Sequence, residues 1–123
     1  FCQYAALTAL NGGSEIVDMM RDSFDKRRKL MLKLAGELGL NAIKPEGAFY
    51  MFLDIKPFIG KSIDGKKITG SMSFADLLID GGVAVIPGLP FKEDGFVRLS
   101  YAVSEADITE GFKRIGEFIK KIK

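Results

Sequence analysis

The chain has 123 residues, a formal net charge of +2, one cysteine and no histidine. This length suits one domain; the small charge gives no case for a nucleic-acid or anionic-membrane partner, and no apolar run approaches the roughly 20 residues that cross a bilayer. The missing histidine excludes Ser-His-Asp and Cys-His catalysis, while the lone Cys2 excludes an internal disulfide and indicates a reducing, cytoplasmic setting.

Residues 1–38 predict two helices. The first ten residues are rich in alanine and leucine, and a helix this apolar on all sides is expected to be buried on more than one side. The rest of the chain is too short to bury it fully, so we expect that a partner surface is missing. Ser14 is the expected N-cap of a second helix, whose apolar residues recur at helical spacing until Gly39 ends it. A helix of about 24 residues is longer than most in globular proteins, which indicates a connection between two bodies.

Residues 39–123 predict a small α+β unit. Strands are expected at 41–44, 48–54, 83–86 and 96–102, and helices at 73–80 and after 104. The Lys- and Gly-rich stretch 56–71 predicts a solvated loop with a turn at Asp64-Gly65. Ser73 and Ser104 are the expected N-caps of the two helices. The order of elements predicts a short, mostly antiparallel sheet covered by helices on one face.

The strand at 96–102 carries the main candidate functional residue, Arg98. Arginine cannot lose its charge, so in an apolar strand it needs a planar acidic partner. That partner is either a carboxylate of this chain, in a structural ion pair, or a ligand carboxylate held by a bidentate fork. The residues alone leave both open. Alternation predicts a core face made of Val97, Leu99, Tyr101 and Val103.

Four motifs occur in order along the chain: Gln3 to Leu7, Pro45 to Tyr50, Gly82 to Gly88, and Val97 to Ala102. Together they resemble the C-terminal part of the pyridoxal-phosphate-dependent class I aminotransferases of fold type I, and look most like the bacterial aspartate aminotransferases. The resemblance implies an apolar helix and a long interdomain helix in 1–38 and an α+β small domain in 39–123. It also implies a large cofactor-binding domain that is absent from this chain. The start at Phe1 instead of Met agrees with the expectation that the chain is cut from something longer.

The resemblance further implies roles for particular residues. Arg98 would fork onto the α-carboxylate of the substrate, Phe49 would line the substrate pocket, and Gly47 would let the backbone approach it closely. Pro87, Gly88 and Phe91 would form a loop near the same site. Lys92 departs from the pattern, because many relatives carry a glycine there, and this puts the conformation of the loop in question.

The implied function is transfer of an amino group between an amino acid, with aspartate as a candidate, and a 2-oxo acid. The full-length protein would bind pyridoxal phosphate and form a homodimer. Its cofactor lysine and phosphate-binding groups would lie upstream, so this chain alone is expected to contain no catalytic or cofactor-binding residue and to be inactive. Two alternatives stay open: a stand-alone regulatory module that binds a carboxylate or amino acid, and a structural domain with Arg98 in an internal salt bridge.

Overall fold

The computed structural model describes all 123 residues, and its elements confirm the predicted α+β class. The helices are α1 (Cys2–Asn11), α2 (Glu15–Glu37), α3 (Ser71–Asp80) and α4 (Glu105–Ile119). The strands are β1 (Ala42–Ile43), β2 (Tyr50–Asp54), β3 (Ser62–Ile63), β4 (Lys66–Lys67), β5 (Ile86–Pro87) and β6 (Phe96–Ser100). None of the helices combines the length and the apolar character that crossing a bilayer requires.

The main sheet has the strand order β1-β2-β6-β5, and every neighbouring pair is antiparallel. The inner strands β2 and β6 pair over five residues, with Met51 opposite Leu99 and Phe52 opposite Arg98. Side chains alternate between the two faces of a strand. One face of the inner strands is therefore apolar and buried, and it consists of Met51, Leu53, Val97 and Leu99.

Helices α2, α3 and α4 cover that buried face and complete a single core of 19 buried residues. Helix α2 contributes Met31 and Ala35, and the larger buried groups of the other two helices are Phe74, Leu78, Ile108, Phe112, Ile115 and Phe118. Gly116 of α4 lies so close to α2 that a Cβ on it would come within 2.9 Å of the Leu38 side chain. The helices thus lie on one side of the sheet and leave the face that carries Arg98 without a helical cover.

The predicted apolar helix forms as α1, but none of its residues is buried. The exposure continues into the first turns of α2, and the exposed side chains include Phe1, Tyr4, Leu7, Leu10, Ile16, Val17, Met19 and Met20. The chain therefore does not bury α1, as its short length predicts, and the missing partner surface stays a prediction. Contiguous exposed apolar surface of this kind marks a face that another surface covers.

The ends of the long helix are only partly as predicted. Ser14 occupies the N-cap position of α2, but its side chain accepts no capping hydrogen bond. At the other end, Gly39 has φ +69°, and its N–H donates to the Gly36 oxygen while the Leu40 N–H donates to the Ala35 oxygen. This pair of bonds is a Schellman motif, and it explains why a glycine ends the helix.

Ser73 is not the N-cap of α3, because that helix begins earlier, with Gly70 at the N-cap position. Ser73 is instead the third residue of the helix, and its Oγ accepts the N–H groups of Thr69 and Gly70. By contrast Ser104 caps α4 as predicted, accepting the N–H of Asp107 at 3.1 Å.

Two predicted segments differ in extent. The strand expected at 83–86 begins only at Ile86 and continues to Pro87. The N–H of Val83 still donates to the Leu78 oxygen of α3, so it cannot pair with β6. The stretch 56–71 is not all loop: β3 and β4 form a hairpin whose turn is Asp64-Gly65, as predicted, with φ of +48° and +78°. Ile63 of β3 and Ile68, which follows β4, are buried.

Candidate carboxylate-binding site

Arg98 lies at the centre of the inner strand β6. Its cross-strand neighbours are Phe52 on one side and Ile86 on the other. The residues before and after it, Val97 and Leu99, are buried in the core. The backbone of Arg98 is therefore fixed by the best-packed part of the molecule, while its side chain projects from the opposite, half-buried face.

Two aromatic rings hold the guanidinium group. The Arg98 Cζ atom lies 4.2 Å from the centroid of the Tyr50 ring and 4.8 Å from the centroid of the Phe91 ring. Both distances are within the range of cation–π attraction. The Phe91 ring also meets Phe52 edge-on, with centroids 5.8 Å apart. Stacking uses the flat faces of a guanidinium group and leaves the N–H donors along its edge available.

No carboxylate of this chain lies within 4 Å of Arg98, and its guanidinium makes no hydrogen bond within the chain. Asp54 is the acid of β2 on the same face, and its carboxylate accepts the Lys56 N–H at 2.9 Å instead. Three other arginines do pair with acids, namely Arg21, Arg28 and Arg114. The internal ion pair that the sequence left open for Arg98 is not formed.

Phe49 contacts the Tyr50 ring that lies under the Arg98 guanidinium, and it also contacts Phe24 of α2. The Phe49 ring is 38% exposed, and its centroid lies 4.5 Å from that of Tyr50 and 5.9 Å from that of Phe24. Gly47 lines a separate open groove of about 450 Å³ beside α2. A Cβ on Gly47 would meet nothing within 4 Å. Nothing inside this chain therefore requires a glycine there, and both assignments stay predictions.

Tyr101 fixes the turn that leads into Phe49. Ala48 has φ +56°, a left-handed conformation that is uncommon for a residue with a side chain. The Tyr101 hydroxyl donates to the Ala48 oxygen at 3.0 Å, and the Tyr101 N–H donates to the Phe49 oxygen at 2.9 Å. Burial raises the pKa of the Tyr101 hydroxyl, so it stays a donor well into the alkaline range.

The prediction that Val103 shares the core face of Tyr101 is wrong, because the side chain of Val103 is 42% exposed. Strand β6 ends at Ser100, and the chain then turns toward the N-cap of α4. The alternation that places Tyr101 in the core does not extend past that turn.

The loop 88–95 places the Phe91 ring beside Arg98, and its part in a substrate site, which the resemblance implies, stays a prediction. Lys92, which follows, has φ +63°. The loop thus keeps the left-handed turn that a glycine favours, and a lysine carries it. A Cβ on Gly88 would overlap the backbone oxygens of Glu93 and Phe96, so the beginning of this loop requires glycine.

A hydrogen-bond network around the buried Ser71 ties this loop to α3. Asp94 accepts the Ser71 N–H at 2.8 Å and the Ser71 hydroxyl at 2.7 Å, and the Leu89 N–H donates to the Ser71 hydroxyl at 3.0 Å. The bonds from Ser71 hold the pKa of the Asp94 carboxyl below its usual value. Local sequence reasoning missed this network and the Tyr50 stack, since each depends on residues that only the fold brings together.

The lysines of the chain are the candidates for covalent attachment of a carbonyl cofactor. Every one of them is exposed. Lysines that form imines are usually activated by desolvation in an apolar pocket or by a cationic neighbour. The residues of this chain therefore do not fit the attachment of such a group. The chain also has no group of acidic or cysteine side chains that could hold a metal ion.

Comparison with known proteins identifies the family to which this chain belongs. The family profile described as aminotransferase class I and II matches residues 1–115, so the chain belongs to that family. Among curated relatives, the chain is similar to an aspartate aminotransferase of Streptomyces avermitilis, with 39% identity over 96% of this chain and 29% of that protein. It is also similar to an aspartate/prephenate aminotransferase of Cereibacter sphaeroides, with 41% identity over 94% of this chain and 30% of that protein.

Solved structures agree with the sequence relatives. The aspartate aminotransferase of Rhizobium meliloti superposes with a TM-score of 0.93 at 36% identity, over 98% of this chain and 31% of that one. An aromatic aminotransferase of Pyrococcus horikoshii superposes with a TM-score of 0.83 at 36% identity, over 96% of this chain and 31% of that one. The chain thus spans about three tenths of the length of these relatives.

Proposed function

We propose that this chain is the substrate-clamping C-terminal part of an amino-acid aminotransferase, in which Arg98 binds the α-carboxylate of the substrate. The observation that supports the proposal most directly is the state of the guanidinium group. Its Cζ atom lies over the rings of Tyr50 and Phe91, and no acid of the chain neutralises it. A carboxylate that approaches its edge would supply both the missing charge and two parallel hydrogen bonds.

The chemistry of amino-group transfer calls for such a clamp. The enzyme accepts two substrates in turn, an amino acid and a 2-oxo acid, which share the α-carboxylate and the position of the α-carbon. A rigid fork on the shared group orients the α-carbon identically in both. Lysine would supply the charge without the planar fork.

The rest of the catalytic machinery is proposed to lie outside this chain. Pyridoxal phosphate acts in such enzymes as an electron sink for charge that develops on the α-carbon. We assign its binding to a large domain of the same polypeptide, with 1–38 as the connection and 39–123 as the small domain. The exposed apolar side chains of α1 and early α2 suit contact with that domain. Homodimer formation and a cytoplasmic setting remain predictions.

Aspartate is proposed as the amino-acid substrate, with a 2-oxo acid as its acceptor. The support is that the Streptomyces relative is named an aspartate aminotransferase and the Cereibacter relative an aspartate/prephenate aminotransferase. Recognition of the substrate side chain is assigned to residues beyond this chain.

The test uses the full-length polypeptide, loaded with pyridoxal phosphate, and compares Arg98→Lys with the unmodified enzyme. We expect kcat/KM for L-aspartate to fall by about a hundredfold, the loss expected when a charge-assisted, bidentate contact is reduced to a point charge. Arg27→Lys is the matched control. Arg27 also lacks an acidic partner and lies 5.6 Å from the Phe24 ring, but it is on α2, and its kcat/KM should stay within about twofold.

An equal kcat/KM for Arg98→Lys and the unmodified enzyme would refute the clamp. The regulatory-module alternative predicts something different for this chain by itself. Calorimetry would then show micromolar binding of L-aspartate without any cofactor, and Arg98→Lys would abolish it.

A further inference from the structure

Phe91 is an exposed residue on a loop that several hydrogen bonds hold in place. The ring is 44% exposed, so it contributes little to the core. Yet the short 3-10 turn Leu89–Phe91 that carries it is anchored at both ends. The Gly88 N–H donates to the Phe96 oxygen at 2.9 Å before the turn, and the Glu93 N–H donates to the Gly88 oxygen at 3.1 Å after it.

The Ser71–Asp94 network adds a third anchor from another element. Ser71 is 0% exposed, and its hydroxyl bridges the Leu89 N–H on one side and the Asp94 carboxylate on the other. The network thus connects the first turn of α3 to the turn that holds Phe91. What the anchored turn presents is a ring 4.8 Å from the Arg98 Cζ atom.

The physical consequence concerns the plane of the guanidinium group. An arginine side chain loses considerable rotamer freedom when it is ordered on a ligand. Rings placed against its faces restrict that freedom before the ligand arrives, and they define the direction in which its edge points. A bidentate hydrogen bond depends on this direction, whereas a lysine ammonium has no plane to set.

We propose that Phe91 is a positioning residue, which together with Tyr50 sets the guanidinium plane of Arg98 for bidentate capture of the substrate carboxylate. The proposal rests on the proposed function, because it assumes that Arg98 is the carboxylate clamp. Phe91 itself touches Arg98 and not the reacting atoms. Since both substrates present the same carboxylate, the loss of Phe91 should weaken the binding of both substrates equally.

The test is a double-mutant cycle in the full-length, pyridoxal-phosphate-loaded enzyme, with Phe91→Leu made in the Arg98 and in the Arg98→Lys backgrounds. In the Arg98 background we expect KM for L-aspartate and for 2-oxoglutarate each to rise about fivefold, with kcat within about twofold. In the Arg98→Lys background the same change should alter KM by less than about twofold.

Two further variants separate positioning from folding. Phe91→Tyr keeps a ring against the guanidinium and should restore most of the affinity. Phe96→Leu removes a similar contact on the same face, where Lys56 Nζ lies 4.4 Å from the Phe96 ring, and should leave both KM values within about twofold. Melting temperatures of all variants show whether any change in KM follows from unfolding.

The possible failures can be told apart. If Phe91→Leu raises KM by the same factor in both backgrounds, or raises it for one substrate only, Phe91 does not act through the guanidinium plane and the inference is overturned while the clamp stands. If Arg98→Lys alone leaves KM and kcat/KM unchanged, the clamp is refuted and the inference falls with it.

Discussion

Replacing Lys92 with glycine should raise the free energy of unfolding by about 0.5–1 kcal/mol. Lys92 has φ +63° and ψ +24°, the left-handed region in which a Cβ crowds the following carbonyl. That conformation costs a residue with a side chain roughly 1–2 kcal/mol, and glycine is free of the cost. Part of the gain, roughly 0.5–1 kcal/mol, is offset because glycine is more flexible in the unfolded chain. The Lys92 side chain is exposed and makes no hydrogen bond or ion pair that would be lost.

Urea unfolding at neutral pH measures the effect, since a change in midpoint at constant slope reports stability. Lys92→Ala is the first control: it removes the charge but keeps the Cβ, so it should stay within about 0.5 kcal/mol of the unmodified chain. Lys113→Gly is the second, because the same chemical change inside α4 should cost about 1 kcal/mol. A lower midpoint for Lys92→Gly, or an equal gain for Lys92→Ala, would show that backbone strain at Lys92 is not the cause.

Two further predictions concern the hydrogen bonds around the site. Tyr101→Phe should lower the free energy of unfolding by about 1 kcal/mol through loss of the bond to Ala48. Because the folded pKa of Tyr101 is raised, its contribution is present below about pH 10 and is lost as the pH rises through the folded value, so alkaline melting curves of the variant should fall less steeply. The contribution of Asp94 to stability depends on pH in the opposite direction. Its folded pKa is lowered, so this contribution is present above about pH 4 and is lost as the pH falls through the folded value. Thermal melts between neutral and acidic pH should therefore decline less for Asp94→Asn than for the unmodified chain.

Where the fold follows from short-range pattern, the sequence predicts it well. The alternation that begins in β6 correctly places Val97, Leu99 and Tyr101 in the core, because a strand has only two faces and helices cover one of them. The same reasoning fails one step later at Val103, since the chain has left the strand. The charged composition of the 56–71 stretch predicts a solvated loop. Its residues Ile63 and Ile68 are nevertheless buried, and they attach the short hairpin to the core.

The features of the site that sequence reasoning missed all depend on distant residues. Ser73 has the spacing of an N-cap, but in the first turn of α3 the N–H of Ser71 donates to the carboxylate of Asp94. The two residues are 23 positions apart along the chain. The Tyr50 ring reaches Arg98 only through the register of β2 against β6. An isolated arginine in an apolar strand could be singled out from the sequence, whereas what surrounds it required the three-dimensional structure.

The location of Arg98 on an inner strand has a consequence for how a ligand enters. Its neighbours Val97 and Leu99 are interior residues, so the strand cannot swing outward or unzip without dissolving the centre of the molecule. In the proposed clamp, a carboxylate would therefore enter and leave through a small swivel of the Arg98 side chain between its two rings or through a rigid-body hinge that carries the entire sheet. The strand itself cannot serve as a mobile flap, the common solution when an anchoring residue is on a loop.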